Sequence, residues 1–335
     1  MALLHSSLSA RSAASPERHG ADRFVLPRGR FVAAYVHTHG TGALAQKVQQ
    51  ARELLSPCRL CPRQCEVNRL EEATGVCRIG RLARVSSAFP HHGEEGCLRG
   101  WRGSGTVFFA GCNLHCVFCQ NYDLSHRNTG REVTAVELAG LMLELQEAGC
   151  HNLNFVTPSH VVPQILEALV IAVERGLRVP LVYNTGGYDR PEVIRLLDGV
   201  FDLYLPDFKL WSADAAARYL TARDYPDTAR QALRTMHEQV GVLRVDEDGL
   251  ALRGVVLRHL VMPGLPDETR EILRWVATAL SPDTHVNLMD QYHPDGRVGQ
   301  DGRFHSIDRR LRSDELEAAY AEARRAGLWR FDTRG

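Results

Sequence analysis

The chain has 335 residues, enough for two ordinary domains or one large barrel with an appendage, and its 44% apolar and 24% charged residues exclude the disordered and collagen-like classes. Forty basic residues balance forty acidic ones, so no net field is available to hold a nucleic-acid backbone or an anionic bilayer. No apolar run approaches the ~18 uncharged residues of a membrane-spanning helix, and the best stretch, 161–173, contains Glu167. Neither nucleic acid nor membrane is expected as a partner.

Residues 1–20 are rich in Ser, Ala and Arg with Glu17 as their one acid, and 1–45 is expected to be a flexible tail, an organelle transit peptide being the alternative. Residues 46–99 show no strand–helix rhythm and carry Cys58, Cys61, Cys65 and Cys77, which predicts a Cys-rich metal-binding region. From 100 to 330 the pattern alternates. Strands are predicted at 105–110, 152–156, 180–184, 202–207, 255–261 and 285–289. Helices are predicted at 133–148, 162–175, 190–197, 213–220 with 228–239, 267–280 and 313–326. Six strand–helix units imply a parallel α/β architecture, a barrel or a doubly wound sheet, whose chemistry gathers at the carboxyl ends of the strands.

After the first of these strands stands Cys112-Asn-Leu-His-Cys116-Val-Phe-Cys119, three thiols on one short loop. A closed structural zinc takes four ligands, whereas a [4Fe-4S] cluster on three cysteines keeps one iron open for an exchangeable ligand. Zinc completed by His115 or His126, or plain buried thiols, are the alternatives. Nine cysteines, most of them crowded into the first 120 residues, suit thiolate ligands in a reducing compartment better than a disulfide framework, so the expected location is cytoplasmic.

The C-x3-C-x2-C spacing after a first strand, the aromatic Phe118 before the last Cys and the six strand–helix units resemble the radical S-adenosylmethionine superfamily. Within it, the chain is most similar to the iron-sulfur proteins related to pyruvate formate-lyase activating enzyme. The resemblance implies a partial (β/α)6 TIM-like barrel with a Cys-rich N-terminal extension. It also implies a [4Fe-4S] cluster on Cys112, Cys116 and Cys119 whose free iron chelates S-adenosylmethionine, and reductive cleavage of that cofactor to a 5′-deoxyadenosyl radical that abstracts hydrogen. A flavodoxin- or ferredoxin-like one-electron reductant and a protein substrate, through one of its glycines, are the partners implied. A small-molecule substrate, and an iron-sulfur or zinc protein without turnover, remain alternatives, and no substrate-facing catalytic residue is singled out.

Further candidates stand at strand ends. Asp207-Phe208-Lys209 resembles the family's Asp-Leu-Lys element, which contacts the cofactor, and Lys209 is one of only two lysines in the chain. An ordinary salt bridge is the other reading of that pair. The family's Gly-Gly-Glu after the second strand is absent, and Thr157 or Ser159 is expected to take over its hydrogen bonds, Ser159 alternatively being a helix cap. Asn184 and the Gly186-Gly187 pair close the third strand, Arg258 lies on the fifth, and Asp290 to His293 follow the sixth. Cys58, Cys61, Cys65 and Cys77 supply four ligands, a full set for zinc or a second iron-sulfur cluster. Cys97 and Cys150 are expected to be unligated.

Overall fold

The computed structural model describes residues 22–300 and 302–332. Two helices come first, α1 (Ala34–Gly40) and α2 (Ala43–Glu53), followed by a strand–helix series. The series runs β1 (Ala83–His91), β2 (Ser104–Phe109), β3 (Arg131–Val133), α3 (Ala135–Glu147), β4 (Leu153–Val156), α4 (Val162–Glu174), β5 (Leu181–Thr185), α5 (Pro191–Leu196) and β6 (Leu203–Pro206). It continues with α6 (Ala213–Leu220), α7 (Tyr225–Val240), β7 (Arg244–Val245), β8 (Ala251–Leu260), α8 (Pro266–Trp275), β9 (His285–Met289), α9 (Ser313–Arg325) and β10 (Arg330–Phe331).

One sheet runs β10-β9-β8-β6-β5-β4-β2-β1-β3. Its central strands β2, β4, β5, β6, β8 and β9 are parallel and lie side by side in chain order. A doubly wound sheet reverses its order at a switch point. The order here never reverses, and this unbroken succession is that of a partial (β/α)6 TIM-like barrel. The six expected units are all present, each within a few residues of its predicted bounds. Thr134 starts α3 with a capping box to Glu137, so the three residues before it are free to join β1 as β3.

Two expectations for the N-terminal part change. The stretch expected to be a tail is built into the fold over its described part, residues 22–45; residues 1–21 lie outside the described residues. The Asp202 carboxylate accepts from the backbone N–H groups of Ala34 (2.8 Å) and Leu181 (3.1 Å), Tyr35 Oη donates to Val179 O (2.9 Å), and Lys47 Nζ donates to Leu196 O (2.8 Å). Nor does the Cys-rich region stop short of the barrel: β1 pairs antiparallel with β2 over Val85 to His91 and extends the sheet. Strict alternation is missing there because a register shift interrupts the strand between Val85 and Ser87 and Pro90 weakens it further. Among the described residues no helix is long and apolar enough to cross a membrane.

Asp202→Ala should orphan two backbone donors at about 1–3 kcal/mol each. The expected result is a lower thermal midpoint and faster proteolysis within residues 22–53; cleavage at the wild-type rate would show that α1 is held by packing alone.

Candidate functional site

At the carboxyl ends of the parallel strands lies a cavity, as the architecture requires. Its wall takes Cys112, Cys116 and Cys119 from the loop after β2, Thr157 from the end of β4, Asn184, Thr185 and Gly186 from β5, Asp207 and Lys209 from β6, and Arg258 from β8. Five strands therefore aim polar groups at one space.

Three buried charges organise the wall. Arg258 donates through Nε to Asp207 Oδ1 (2.8 Å) and through Nη2 to Asn184 Oδ1 (2.6 Å), while Lys209 Nζ donates to Asp207 Oδ2. Burial pushes the Asp207 pKa upward, but the Arg258 guanidinium and Lys209 ammonium outweigh it and hold the carboxyl below its ordinary value. Burial likewise works against the Lys209 charge, and the Asp207 carboxylate reverses the balance, leaving its pKa raised. Arg258 also pairs with Glu94, Nη1 to Oε2 3.7 Å, so two cations and two carboxylates form one ion-pair network beside the three thiols.

The loop after β2 is shaped by its backbone. Gly111 has φ 80°, and a Cβ there would come within 2.5 Å of the Cys77 carbonyl oxygen, so the chain can turn into the thiol loop only with glycine. Asn113 Nδ2 donates to Tyr188 O (2.7 Å), and Arg63 Nε donates to Asn113 O (2.7 Å), which pins the loop between β5 and the N-terminal region. The N–H of Leu114 donates to Cys112 Sγ (3.4 Å), and Cys119 Sγ lies 3.1 Å from Ser125 Oγ. Burial raises the Cys116 thiol and pushes Cys112 up to about 11, even though the Leu114 N–H opposes it. Thiols so placed ionise when a cation takes the proton's place.

Among the described residues no three Cys, His, Asp or Glu side chains are arranged around a single ion. Single-ion ligands must all lie within about 2.3 Å of one point. A [4Fe-4S] cluster makes a different demand, since each of its thiolates binds a different iron. Three thiols on one cavity wall, one already receiving a backbone N–H, fit the cluster's donor set, with Cys112, Cys116 and Cys119 as the residues that would hold it.

The other candidates divide. Thr157 lines the cavity with φ 59°, its N–H donating to Asn184 O (2.8 Å). Ser159 does not line it; it is buried behind Thr185, Oγ to Oγ1 3.2 Å, and no N-terminal cap of α4 is made by it. Phe118 does not line it either, and packs in the apolar core with its ring 6.1 Å from Tyr292. Tyr292 is itself buried, donating to Ile307 O (2.7 Å), and the 290–293 segment stays off the cavity wall. Cys150 belongs to the main core, and Cys97 packs with a satellite cluster around Leu98 and Val182.

Sequence reasoning missed the groups that hold the wall in place. Tyr225 Oη accepts from Lys209 N (2.9 Å) and lies 3.0 Å from Gly186 O, tying β5 to β6. Buried Asp189 accepts from Tyr183 Oη (2.9 Å) and Thr185 Oγ1 (2.6 Å). Asp189 follows Gly186-Gly187-Tyr188 directly, and an acid at a glycine-rich strand end was the signal available for it.

The family model of the Radical SAM superfamily matches residues 106–276. An uncharacterized protein of Methanocaldococcus jannaschii is 32% identical over 290 residues, covering 84% of this chain and 78% of that protein. The pyruvate formate-lyase-activating enzyme of Clostridium pasteurianum is 27% identical over 197 residues, covering 56% of this chain and 74% of that enzyme. Among solved structures, Streptococcus suis SuiB bound to precursor peptide SuiA aligns at 12% identity and a TM-score of 0.45, over 67% of this chain and 46% of that one. Native anSMEcpe with bound AdoMet aligns at 9% identity and a TM-score of 0.43, over 66% of this chain and 61% of that one. The chain thus spans about half the length of the SuiB chain it matches, 46%.

Asp207→Asn should leave Arg258 and Lys209 without their shared anion and destabilise the protein by about 3–5 kcal/mol at pH 7. A depressed folded pKa contributes stability that is present above the unfolded value and is lost as pH falls through the folded one. The deficit relative to wild type should therefore hold down to about pH 4 and narrow below it. Unfolding curves taken between neutral and acid pH read this directly, and narrowing already near pH 6 would contradict the assignment.

Proposed function

This chain belongs to the Radical SAM superfamily, and from that premise we propose that it is an enzyme that reductively cleaves S-adenosylmethionine at a [4Fe-4S] cluster held by Cys112, Cys116 and Cys119. The observation that carries this reading is the three-thiol loop facing the buried Asp207–Lys209–Arg258 network at the strand ends. When bound, such a cluster supplies the electron that splits the cofactor's sulfonium into methionine and a 5′-deoxyadenosyl radical, which abstracts hydrogen from the substrate.

The chain's own residues have the remaining tasks. Lys209 and Arg258 lie where they can meet the cofactor's carboxylate with charge-assisted hydrogen bonds, and Asp207 can then share its own oxygens with the cofactor's amino group. Asn184 and Thr157 offer a side-chain carbonyl and a hydroxyl to the same groups, in place of the absent Gly-Gly-Glu. Ser159 and Phe118 act one step back, Ser159 by orienting Thr185 and Phe118 by fixing the thiol loop onto the core.

For the substrate we favour a protein, with hydrogen taken from a backbone glycine, because the similar Clostridium pasteurianum protein is an activating enzyme for another enzyme. A one-electron carrier of the flavodoxin or ferredoxin class would reduce the cluster. The cytoplasm suits this chemistry, since all nine cysteines are unpaired in the fold and a reducing compartment keeps them so.

Anaerobically reconstituted protein should form 5′-deoxyadenosine only when reductant is present, and replacing Cys112, Cys116 and Cys119 together by Ala should abolish it. A triple variant that still formed the nucleoside would overturn the assignment. Lys209→Ala should weaken S-adenosylmethionine binding by roughly 10- to 150-fold, the loss of one charge-assisted bond of about 1.5–3 kcal/mol. Iron content should not change in that variant; unaltered affinity would return Lys209 to a purely structural pair with Asp207.

A further inference from the structure

We infer that Cys58, Cys61, Cys65 and Cys77 hold a second, fully ligated iron-sulfur cluster, and that it passes electrons one at a time to the site of Cys112, Cys116 and Cys119. The relay rests on the function proposed above; the ligand assignment does not.

The first support is local geometry. Cys58 N–H donates to Val67 O (2.8 Å) and Glu66 N–H donates to Cys58 O (3.0 Å), folding residues 58–67 back on themselves, and the N–H of Val76 donates to Cys65 Sγ (3.4 Å). Gly75 lies so close to that sulfur that a Cβ would come within 2.5 Å of it. Four non-glycine residues around the set adopt positive φ, Gln64 (40°), Glu66 (56°), Glu72 (62°) and Arg78 (60°), a backbone cost that the fold retains here.

The second support is the treatment of the sulfurs. The Val76 N–H donates to Cys65 Sγ, and the Leu114 N–H donates to Cys112 Sγ, both at 3.4 Å. A neutral thiol needs no such donor. A thiolate ligand does, and N–H donors at sulfur are among the levers that set a cluster's potential. Four thiols can supply one ligand to each iron of a [4Fe-4S] cluster and leave no metal position open.

The third support is charge. Arg69 is buried at 1% exposure, and its guanidinium hydrogen-bonds carbonyl oxygens, Gly80 O (3.1 and 3.0 Å) and His160 O (2.8 Å). A buried cation is costly unless an anion compensates it. Gly80, whose carbonyl the guanidinium binds twice, stands three residues after Cys77, and a cluster with four thiolates would supply the negative charge.

Contact between the two cysteine sets makes the relay physical. The Cys77 carbonyl packs on Gly111, and Arg63 joins the N-terminal loop to Asn113. A site with every metal position ligated has nothing to offer a substrate, but it can carry electrons. One electron leaves a low-potential carrier protein of the flavodoxin or ferredoxin class, reduces this cluster, and moves on to the Cys112–Cys119 site. No bond or proton is exchanged.

The test uses the full chain purified without oxygen. In the variant with Cys112, Cys116 and Cys119 all changed to Ala, roughly two to four irons with matching acid-labile sulfide should remain, with a paramagnetic signal on reduction that S-adenosylmethionine does not alter. Zinc in place of iron, or loss of all metal, would overturn the proposal. Cys65→Ser, at the half-buried ligand, should remove that signal and keep the cofactor-sensitive one. It should also slow 5′-deoxyadenosine formation with flavodoxin but not with dithionite. Equal slowing with both donors would overturn the relay and leave the ligand assignment standing. If wild type formed no 5′-deoxyadenosine while the triple variant kept its iron, the proposed function would fail and the second cluster would stand.

Discussion

A parallel sheet whose strands follow one another without reversal delivers every carboxyl end to the same rim. That constraint brings Cys112, Thr157, Asn184, Asp207 and Arg258, spread over almost half the chain, to one cavity. It also explains how the wall can hold buried charges. Arg258 and Lys209 come from different strands and divide the two oxygens of Asp207, while Arg258 also pairs with Glu94. Removing any one strand end would leave a desolvated charge without its partner, which costs more than the pair contributes. The network is therefore a structural keystone of the cavity wall.

The same rim receives the N-terminal region. β1 lengthens the sheet beside β2, and the loop carrying Cys77 closes over Gly111 at the entrance to the three-thiol loop. The region expected to be an appendage is packed against the candidate active site instead. Buried Arg69 bridges the two parts through Gly80 O and His160 O, and His160, its pKa pushed down to about 4 by burial, donates from Nε2 to Ala110 O at the end of the strand region. A chain of buried hydrogen bonds thus links the N-terminal loop to the strand that leads into the thiols.

Much of this was legible in the sequence, for physical reasons. Helical and strand periodicities located all six units of the barrel, and the strand-end rule directed attention to Cys112, Thr157, Asn184, Asp207 and Lys209, which do line the cavity. Periodicity says little about an antiparallel strand with a register shift and a proline, so β1 went unseen, and it says nothing about α1, whose anchor is the distant carboxylate of Asp202. Arg258 was visible only as a residue of the fifth strand, since its partners Asp207 and Asn184 are 51 and 74 positions away; the structure joins the three on the cavity wall. Phe118 and Ser159 sit beside the right motifs but turn into the core, a choice of face that spacing within a loop does not encode.

The central claim is that the Cys112–Cys119 loop leaves one iron open to S-adenosylmethionine beside the Asp207–Lys209–Arg258 wall. The most direct measurement is electron–nuclear double resonance on the reduced, anaerobic protein with cofactor labelled at its amino nitrogen and carboxylate oxygen. The account predicts hyperfine coupling of both labels to a cluster signal that disappears when the three cysteines are changed to Ala. A cluster signal with no coupling to either label, or coupling that persists in the cysteine variant, would contradict it.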